Sequence, residues 1–373
     1  MCYRRPQSLA RLALSSLLLL LAQAALGDPQ PGLSLDAPAA IELGRKLFMD
    51  RRLSRNGTMS CGMCHIPEQG FTANEMATAI GIEGRSLRRN APTMLNVASQ
   101  HWLFHDGRET SLERQVWGPL LASDEMGNAS RSAVVERVNA LQDYAAPFRR
   151  AFPGIGVTED TIASALASYE RALTAADSRF DRWYFADDPS ALSTSERTGF
   201  ELFRGKAGCA ACHSIRVQQA PFTDHRFHNT GIGWRRADTG DKLVSVPLGA
   251  GETTEVSTAQ MAALFGASVR DEGRSEVTGR TEDRWAYKTP SLRNVSLTAP
   301  YMHDGSVATL REVIELYDRG GIDNPGKNAL LRPLHLSEHE KRALESFLGS
   351  LTSENVARLA AEARAAFYSG GGR

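Results

Sequence analysis

The chain has 373 residues, and its 43 Lys plus Arg balance 43 Asp plus Glu, so the formal net charge is zero. A neutral chain lacks the basic excess that nucleic acid or an anionic membrane surface would recruit, and this length allows two domains with separate cores. Of the five cysteines, Cys2 stands near the N-terminus and the other four fall in two close pairs, which leaves no disulfide framework.

The first element in chain order is a leader. Arg4, Arg5 and Arg11 precede an apolar run from Leu12 to Ala25, and Ala25–Leu26–Gly27 offers a small-residue cleavage site before Asp28. That order predicts a cleaved export signal over residues 1–27, which would carry Cys2 away with it. No later stretch approaches 18 apolar residues, so no membrane span is expected.

Ile41, Gly44, Leu47 and Phe48 then share one helical face. They lead into Cys61–Gly62–Met63–Cys64–His65, and the motif recurs as Cys209–Ala210–Ala211–Cys212–His213. Two thiols three positions apart can bond one porphyrin covalently, while the following His places an imidazole under the iron. A zinc site or a thioredoxin-type pair would not require a His after both pairs. The reading is two covalently bound c-type haems, attached through Cys61, Cys64, Cys209 and Cys212, with His65 and His213 as iron ligands. Export fits this cofactor, since c-type haem is attached outside the bacterial cytoplasm, and predicts a periplasmic protein.

The flanking segments also match in order. Gly44–Arg45–Lys46–Leu47–Phe48 precedes the first run and Gly199–Phe200–Glu201–Leu202–Phe203 the second. Pro92–Thr93–Met94–Leu95–Asn96–Val97 is answered by Pro290–Ser291–Leu292–Arg293–Asn294–Val295, and 13 residues past each proline stands a His-Asp-Gly, His105 or His303. Leu112 and Leu310 follow at equal distance. These matches predict a mainly α fold of two cytochrome-c-like haem domains related by internal duplication, 28–187 and 188–373, divided near Asp187–Pro189. Ser193 and Glu196 form a capping box; Leu310, Val313, Ile314 and Tyr317 make one helical stripe; Ser337 to Phe367 reads as one or two amphipathic helices. From haem His to His-Asp-Gly takes 40 residues in the first half and 90 in the second. The excess, within 217–284, reads as a long loop with a β-hairpin.

The halves differ chemically. Tyr317 stands 14 residues after His303, and Pro119 stands 14 after His105. Tyrosine can bind iron through its phenol oxygen and proline cannot. The second iron is therefore expected to be held by His213 and Tyr317, and the first to keep an open face opposite His65. Gln115 and Glu125 lie near Pro119 in sequence, and a carboxylate over an open iron suits proton transfer during O–O cleavage.

The order Cys-x-x-Cys-His, Arg-Asn-x-Pro-Thr, Asp-Gly-Arg, Leu-x-x-Gln, Glu-Met, then Cys-x-x-Cys-His, Thr-Pro-Ser-Leu-Arg-Asn-Val and Pro-Tyr-Met-His-Asp-Gly resembles the bacterial di-haem cytochrome c peroxidase/MauG family. The resemblance implies that Gln115, Pro119 and Glu125 form the distal pocket of the first haem, and that Asn90, Thr298 and Pro300 bind a calcium ion between the haems. It also separates two functions. The peroxidases have methionine where this chain has Tyr317, and many cap the first iron with a histidine where this chain has Ile82; both positions here match the MauG side. The family commonly has tryptophan at the position of His105, so His105 or the nearby Trp102 is expected to serve inter-haem transfer. The Phe-His-Asp-Gly-Arg form and the insert are most similar to MauG relatives of methanobactin gene clusters, the MbnH type. That likeness implies a hydrogen-peroxide-driven enzyme that forms a high-valent di-haem state. The state would oxidise a side chain, tryptophan to kynurenine, on a secreted partner such as an MbnP-like copper-binding protein. The alternative is a peroxidase that draws electrons from a small cytochrome or copper protein.

Overall fold

Helix α1, Pro38–Met49, buries Leu43, Gly44, Leu47 and Phe48 against helix α4, Glu159–Ala172. The glycine is what permits the approach, because a Cβ on Gly44 would collide with the carbonyl oxygen of Ala165. The same device recurs where helix α5, Thr194–Arg204, packs on helix α7, Glu338–Gly349: a Cβ on Gly199 would strike the carbonyl oxygen of Ala343. The expected Ser193–Glu196 capping box opens α5, and Ser337 with Glu340 caps α7 in the same way. This computed structural model describes residues 37–238, 243–249, 252–257 and 271–369. The leader at 1–27 and parts of the 217–284 segment lie outside the described residues.

The architecture is mainly helical. Helices α2, Leu112–Gln115, and α3, Trp117–Leu121, stand in the first half where the second half has one continuous helix α6, Leu310–Asp318. Pro119 lacks the N–H that a continuous helix would use at that point. The tail forms two helices, α7 and then α8, Val356–Ser369. Two large apolar cores stand out among the described residues. The first gathers Leu47, Phe48, Tyr144, Phe148 and Leu166. The second gathers Phe180, Phe200, Phe203, Phe222 and Phe347.

Each cluster takes in one helix from the far side of Asp187–Pro189 in sequence. Phe180, on the helix Arg179–Phe185, packs into the second core, while Val356, Leu359 and Ala363 of α8 return to the first. Strand β1, Phe227–Asn229, pairs antiparallel with β4, Ala286–Lys288, and so closes the base of the long second-half segment. Between them β2, Leu243–Gly249, and β3, Glu252–Ser257, form an antiparallel pair with an irregularity at Pro247/Gly249. Their Val and Thr content suits a pleated strand.

Local geometry repeats with the motifs. Asn96 and Asn294 both adopt left-handed φ, 59° and 62°. Asn96 Oδ1 accepts from Ala175 N at 2.9 Å and Asn294 Oδ1 from Ser353 N at 2.8 Å, so each asparagine ties its loop to the segment following a packed helix. Each His-Asp-Gly lies in a turn closed by an isolated β-bridge, Leu103 with Glu109 and Tyr301 with Val307.

Candidate active site

Both Cys-x-x-Cys-His runs open onto one continuous cavity of about 1130 Å³. Cys64 and His65 line one end of it, and Cys209, Cys212 and His213 the other. Burial pushes the Cys64 and Cys209 thiols up to about 12 and Cys61 further still, so this environment favours uncharged sulfur. A thioether carries no charge and fits such a setting. His65 Nδ1 lies 3.3 Å from the Phe71 carbonyl oxygen and His213 Nδ1 lies 2.8 Å from that of Phe222. A carbonyl acceptor on Nδ1–H fixes the tautomer and leaves the Nε2 lone pair for a metal. Burial also holds both imidazoles neutral, lowering their proton affinity. Lys288 adds a further match. Its ammonium faces the cavity, burial lowers it to about 8, and its recorded partner is the Gln100 amide oxygen at 2.9 Å. No described carboxylate forms a salt bridge with it, so a haem propionate is the anion this position suits. The residues fit two c-type haems.

The two ends differ above the histidines. Gln115, Pro119 and Glu125 all line the cavity, and Asp124 joins them. The Gln115 side-chain oxygen is buried without a hydrogen-bond partner, a polar atom aimed at space that a ligand can use. Burial and the neighbouring Asp124 raise the Glu125 carboxyl to about 7, against a lesser opposing pull from Arg108. Tyr317 reaches the same cavity from α6, and burial raises its phenol to about 12. Leu310, Val313 and Ile314 line the cavity with it, so the sequence stripe and the cavity face coincide.

Between the ends, two loops meet. Asn90 N donates to His303 O at 2.7 Å, and His105 Nε2 lies 3.0 Å from Asn90 O. Burial lowers His105 to about 4, which keeps the ring neutral. The Asn90 amide bridges the carbonyl oxygens of Ala77 at 2.9 Å and Pro300 at 3.4 Å. Exchanging its O and N would turn three oxygens toward one point, a donor set suited to a hard cation. Thr298 lies on the same loop, with its hydroxyl donating to Val295 O at 3.0 Å. Trp102 lines the cavity edge-on to Phe227, 5.8 Å between centroids, with the Arg274 guanidinium 4.8 Å above its ring.

Residues 38–189 match the di-haem cytochrome c peroxidase family. The chain is 37% identical over 332 residues to the methylamine utilization protein MauG of Methylorubrum extorquens, covering 88% of this chain and 82% of that one. The chain belongs to the di-haem cytochrome c peroxidase/MauG family. It is also 35% identical over 279 residues to the cytochrome c551 peroxidase of Nitrosomonas europaea, covering 74% of this chain and 72% of that one. Among solved structures it is similar to a MauG-like protein associated with microbial copper homeostasis, with TM-score 0.68, 32% identity, and coverage of 86% and 91%. Members of this family are oxidoreductases with two c-type haems, so the protein is an enzyme of that kind.

Membership decides how one cluster is read. Cys212 Sγ, Asp224 and His228 place potential ligand atoms within 4.8 Å of one another. In this family the Cys212 sulfur is committed to haem, and His228 is already held by Asp224 at 2.7 Å and Asn328 at 2.6 Å. The group is a hydrogen-bonded flank of the second site. Sequence reasoning missed three cavity residues. His303 stacks on Tyr287, 3.5 Å between centroids at 10°, and its Nε2 is buried without a partner. Lys288 gave no signal, since a lysine at the end of a short strand reads as solvated. Arg108 did give one, within the Asp-Gly-Arg motif.

Proposed function

We propose that the protein is a periplasmic, MauG-like enzyme that reacts with hydrogen peroxide at its first haem and oxidises a side chain, tryptophan to kynurenine, on a secreted partner protein. The observation that carries this reading is the inequality of the two ends of one cavity, Pro119 with Gln115 and Glu125 at one and Tyr317 at the other. The haems would supply the redox chemistry, taking two oxidising equivalents from each peroxide and passing them to the partner; tryptophan to kynurenine withdraws four electrons and releases the ring C2 as formate, so two peroxides are consumed per side chain. The chain's own residues do the rest.

Pro119 presents no donor atom, so it would leave the first site free to take peroxide, with His65 holding the group. The unpartnered Gln115 oxygen accepts a hydrogen bond from a peroxide O–H and orients it. Glu125, poised near neutral pH, takes the proton from the bound oxygen and delivers it to the departing one. Tyr317 supplies an oxygen ligand at the second site and denies peroxide that face. His105 and Trp102 serve transfer between the sites, and Asn90, Thr298 and Pro300 hold a calcium ion that fixes the two loops together. The likeness to a MauG-like protein of copper homeostasis supports a secreted, copper-binding protein of the MbnP type as the partner.

The test is stoichiometric peroxide added to the di-ferric protein without any electron donor, followed by optical and Mössbauer spectroscopy. A long-lived product with both irons oxidised beyond ferric supports the proposal. Turnover only when a reduced cytochrome is supplied would move the protein to the peroxidase branch, represented among its relatives by the cytochrome c551 peroxidase.

A further inference from the structure

The two His-Asp-Gly turns allow a comparison inside one molecule. Each is closed by the same bridge, and each carries a residue with left-handed φ before the histidine, Phe104 at 62° and Met302 at 74°. In each the aspartate caps the turn: Asp106 Oδ1 accepts from Arg108 N at 3.2 Å and Asp304 Oδ1 accepts from Ser306 N at 3.1 Å. One scaffold therefore carries Arg108 on the cavity lining in the first turn and, in the second, Ser306, which does not line the cavity.

Arg108 is held from two sides. Its Nη1 donates to both Asp106 carboxylate oxygens at 3.1 Å, and its guanidinium carbon lies 3.4 Å from the centroid of the Phe104 ring beneath it. Both supports are themselves fixed. Asp106 is 2% exposed and takes a second cation, Arg89 Nη1, at 2.6 Å. A Cβ on Gly118, one residue before Pro119, would come within 3.0 Å of the Phe104 ring, so that ring abuts the distal helix. The Arg108 side chain keeps 42% of its surface exposed, yet it lines the same cavity as Gln115, Pro119 and Glu125. A cation stacked on a ring and tied to a buried carboxylate has lost most of its rotamer freedom in advance.

We propose that Arg108 is the anion-binding residue of the first haem's distal pocket, a fixed positive charge at its mouth that holds hydroperoxide and other small anions against the open iron. Peroxide loses a proton to Glu125 as it binds, and the guanidinium stabilises the negative oxygen left behind. When the O–O bond breaks, the electron pair goes to the departing oxygen, which takes the proton back from Glu125 and leaves as water, while the two electrons that peroxide reduction requires would come from the haems. Arg108 bears on that oxygen's charge through its fixed guanidinium and takes no other part in the step. At the matching position of the second turn, Ser306 accepts from Arg235 Nη2 at 3.1 Å.

The proposal rests on the reading that the first iron is open, and ligand binding to the ferric holoenzyme separates the two. Azide is the anionic probe and imidazole the neutral one, each titrated optically into the wild-type, Arg108→Gln and Arg108→Lys proteins after haem content has been matched by pyridine haemochrome. The expected result is a tenfold or greater loss of azide affinity in Arg108→Gln, with imidazole affinity within twofold of wild type. In Arg108→Lys the azide loss should be threefold or less. Unchanged azide binding in Arg108→Gln overturns the assignment, as does an equal loss for both ligands, which would mean a collapsed pocket. Wild-type protein that binds neither probe overturns the open-iron reading itself, and Arg108 with it.

Discussion

Replacing Glu125 with glutamine removes the proton carrier while keeping the side chain's size. The structure places this carboxyl in a buried site beside Asp124, where its proton affinity rises from the ordinary 4.5 to about 7. A general base works only when deprotonated. The deprotonated fraction rises from about one tenth at pH 6 to about nine tenths at pH 8 for a group near 7, so the peroxide rate constant should climb roughly tenfold across that window. In Glu125→Gln the rate should fall about 100-fold or more, and the climb with pH should vanish. Stability gives an internal control. A carboxyl whose folded proton affinity is raised favours the fold fully below 4.5, and that contribution is lost as pH rises to about 7. A shift of about 2.5 units corresponds to about 3 kcal/mol, so the neutral glutamine is no burden to the fold above pH 7. Lost activity at pH 8 with an unchanged or higher unfolding temperature therefore reports chemistry. Stopped-flow mixing of di-ferric protein with peroxide, followed in the Soret region from pH 5.5 to 8.5, measures it. A variant that keeps the wild-type pH profile refutes the role of Glu125.

Tyr317→Phe removes the phenol oxygen and should open the second site. Optical titration should then find two azide ions bound per chain in place of one, and an unchanged stoichiometry with an unchanged spectrum counts against the ligand assignment. Gly44→Ala gains about 1 kcal/mol of helix propensity but drives a methyl into the Ala165 carbonyl, and overpacking of that kind costs up to about 3 kcal/mol. A net loss of about 1–2 kcal/mol should appear as a lower urea midpoint, and Gly199→Ala should behave alike against Ala343. Calcium should persist at one ion per chain through dialysis and be lost from Asn90→Ala, both read by atomic emission. Wild-type protein that retains no calcium sinks that site.

Much of this molecule could be read before any coordinates. The Cys-x-x-Cys-His runs, the equal spacing from Pro92 to His105 and from Pro290 to His303, and the stripe ending at Tyr317 are local patterns, and local patterns survive folding because they are set by residues near in sequence. Gly44 and Gly199 were visible as matching positions, though their reason, two carbonyls on partner helices, was not. What escaped depends on residues distant in sequence. The return of α8 to the first core, Phe180 joining the second, and β1 meeting β4 across the long segment leave no periodic trace. Arg108 shows a different limit. The motif contained it, but only the turn's geometry shows that Asp106 and Phe104 hold its guanidinium where it lines the cavity.

The shared cavity has a consequence for how the protein is made. Its walls come from both cores, with Leu95 and Val97 at one side and Leu344 and Leu348 at the other. A protein interior gains cohesion only where atoms meet atoms, so the two porphyrins are internal building material for neighbouring halves at once. Attachment at one cysteine pair then conditions the other. Serine in place of Cys209 and Cys212 should loosen the first site as well as empty the second, and a periplasm that runs short of haem should accumulate protease-sensitive chains rather than a half-loaded stable enzyme.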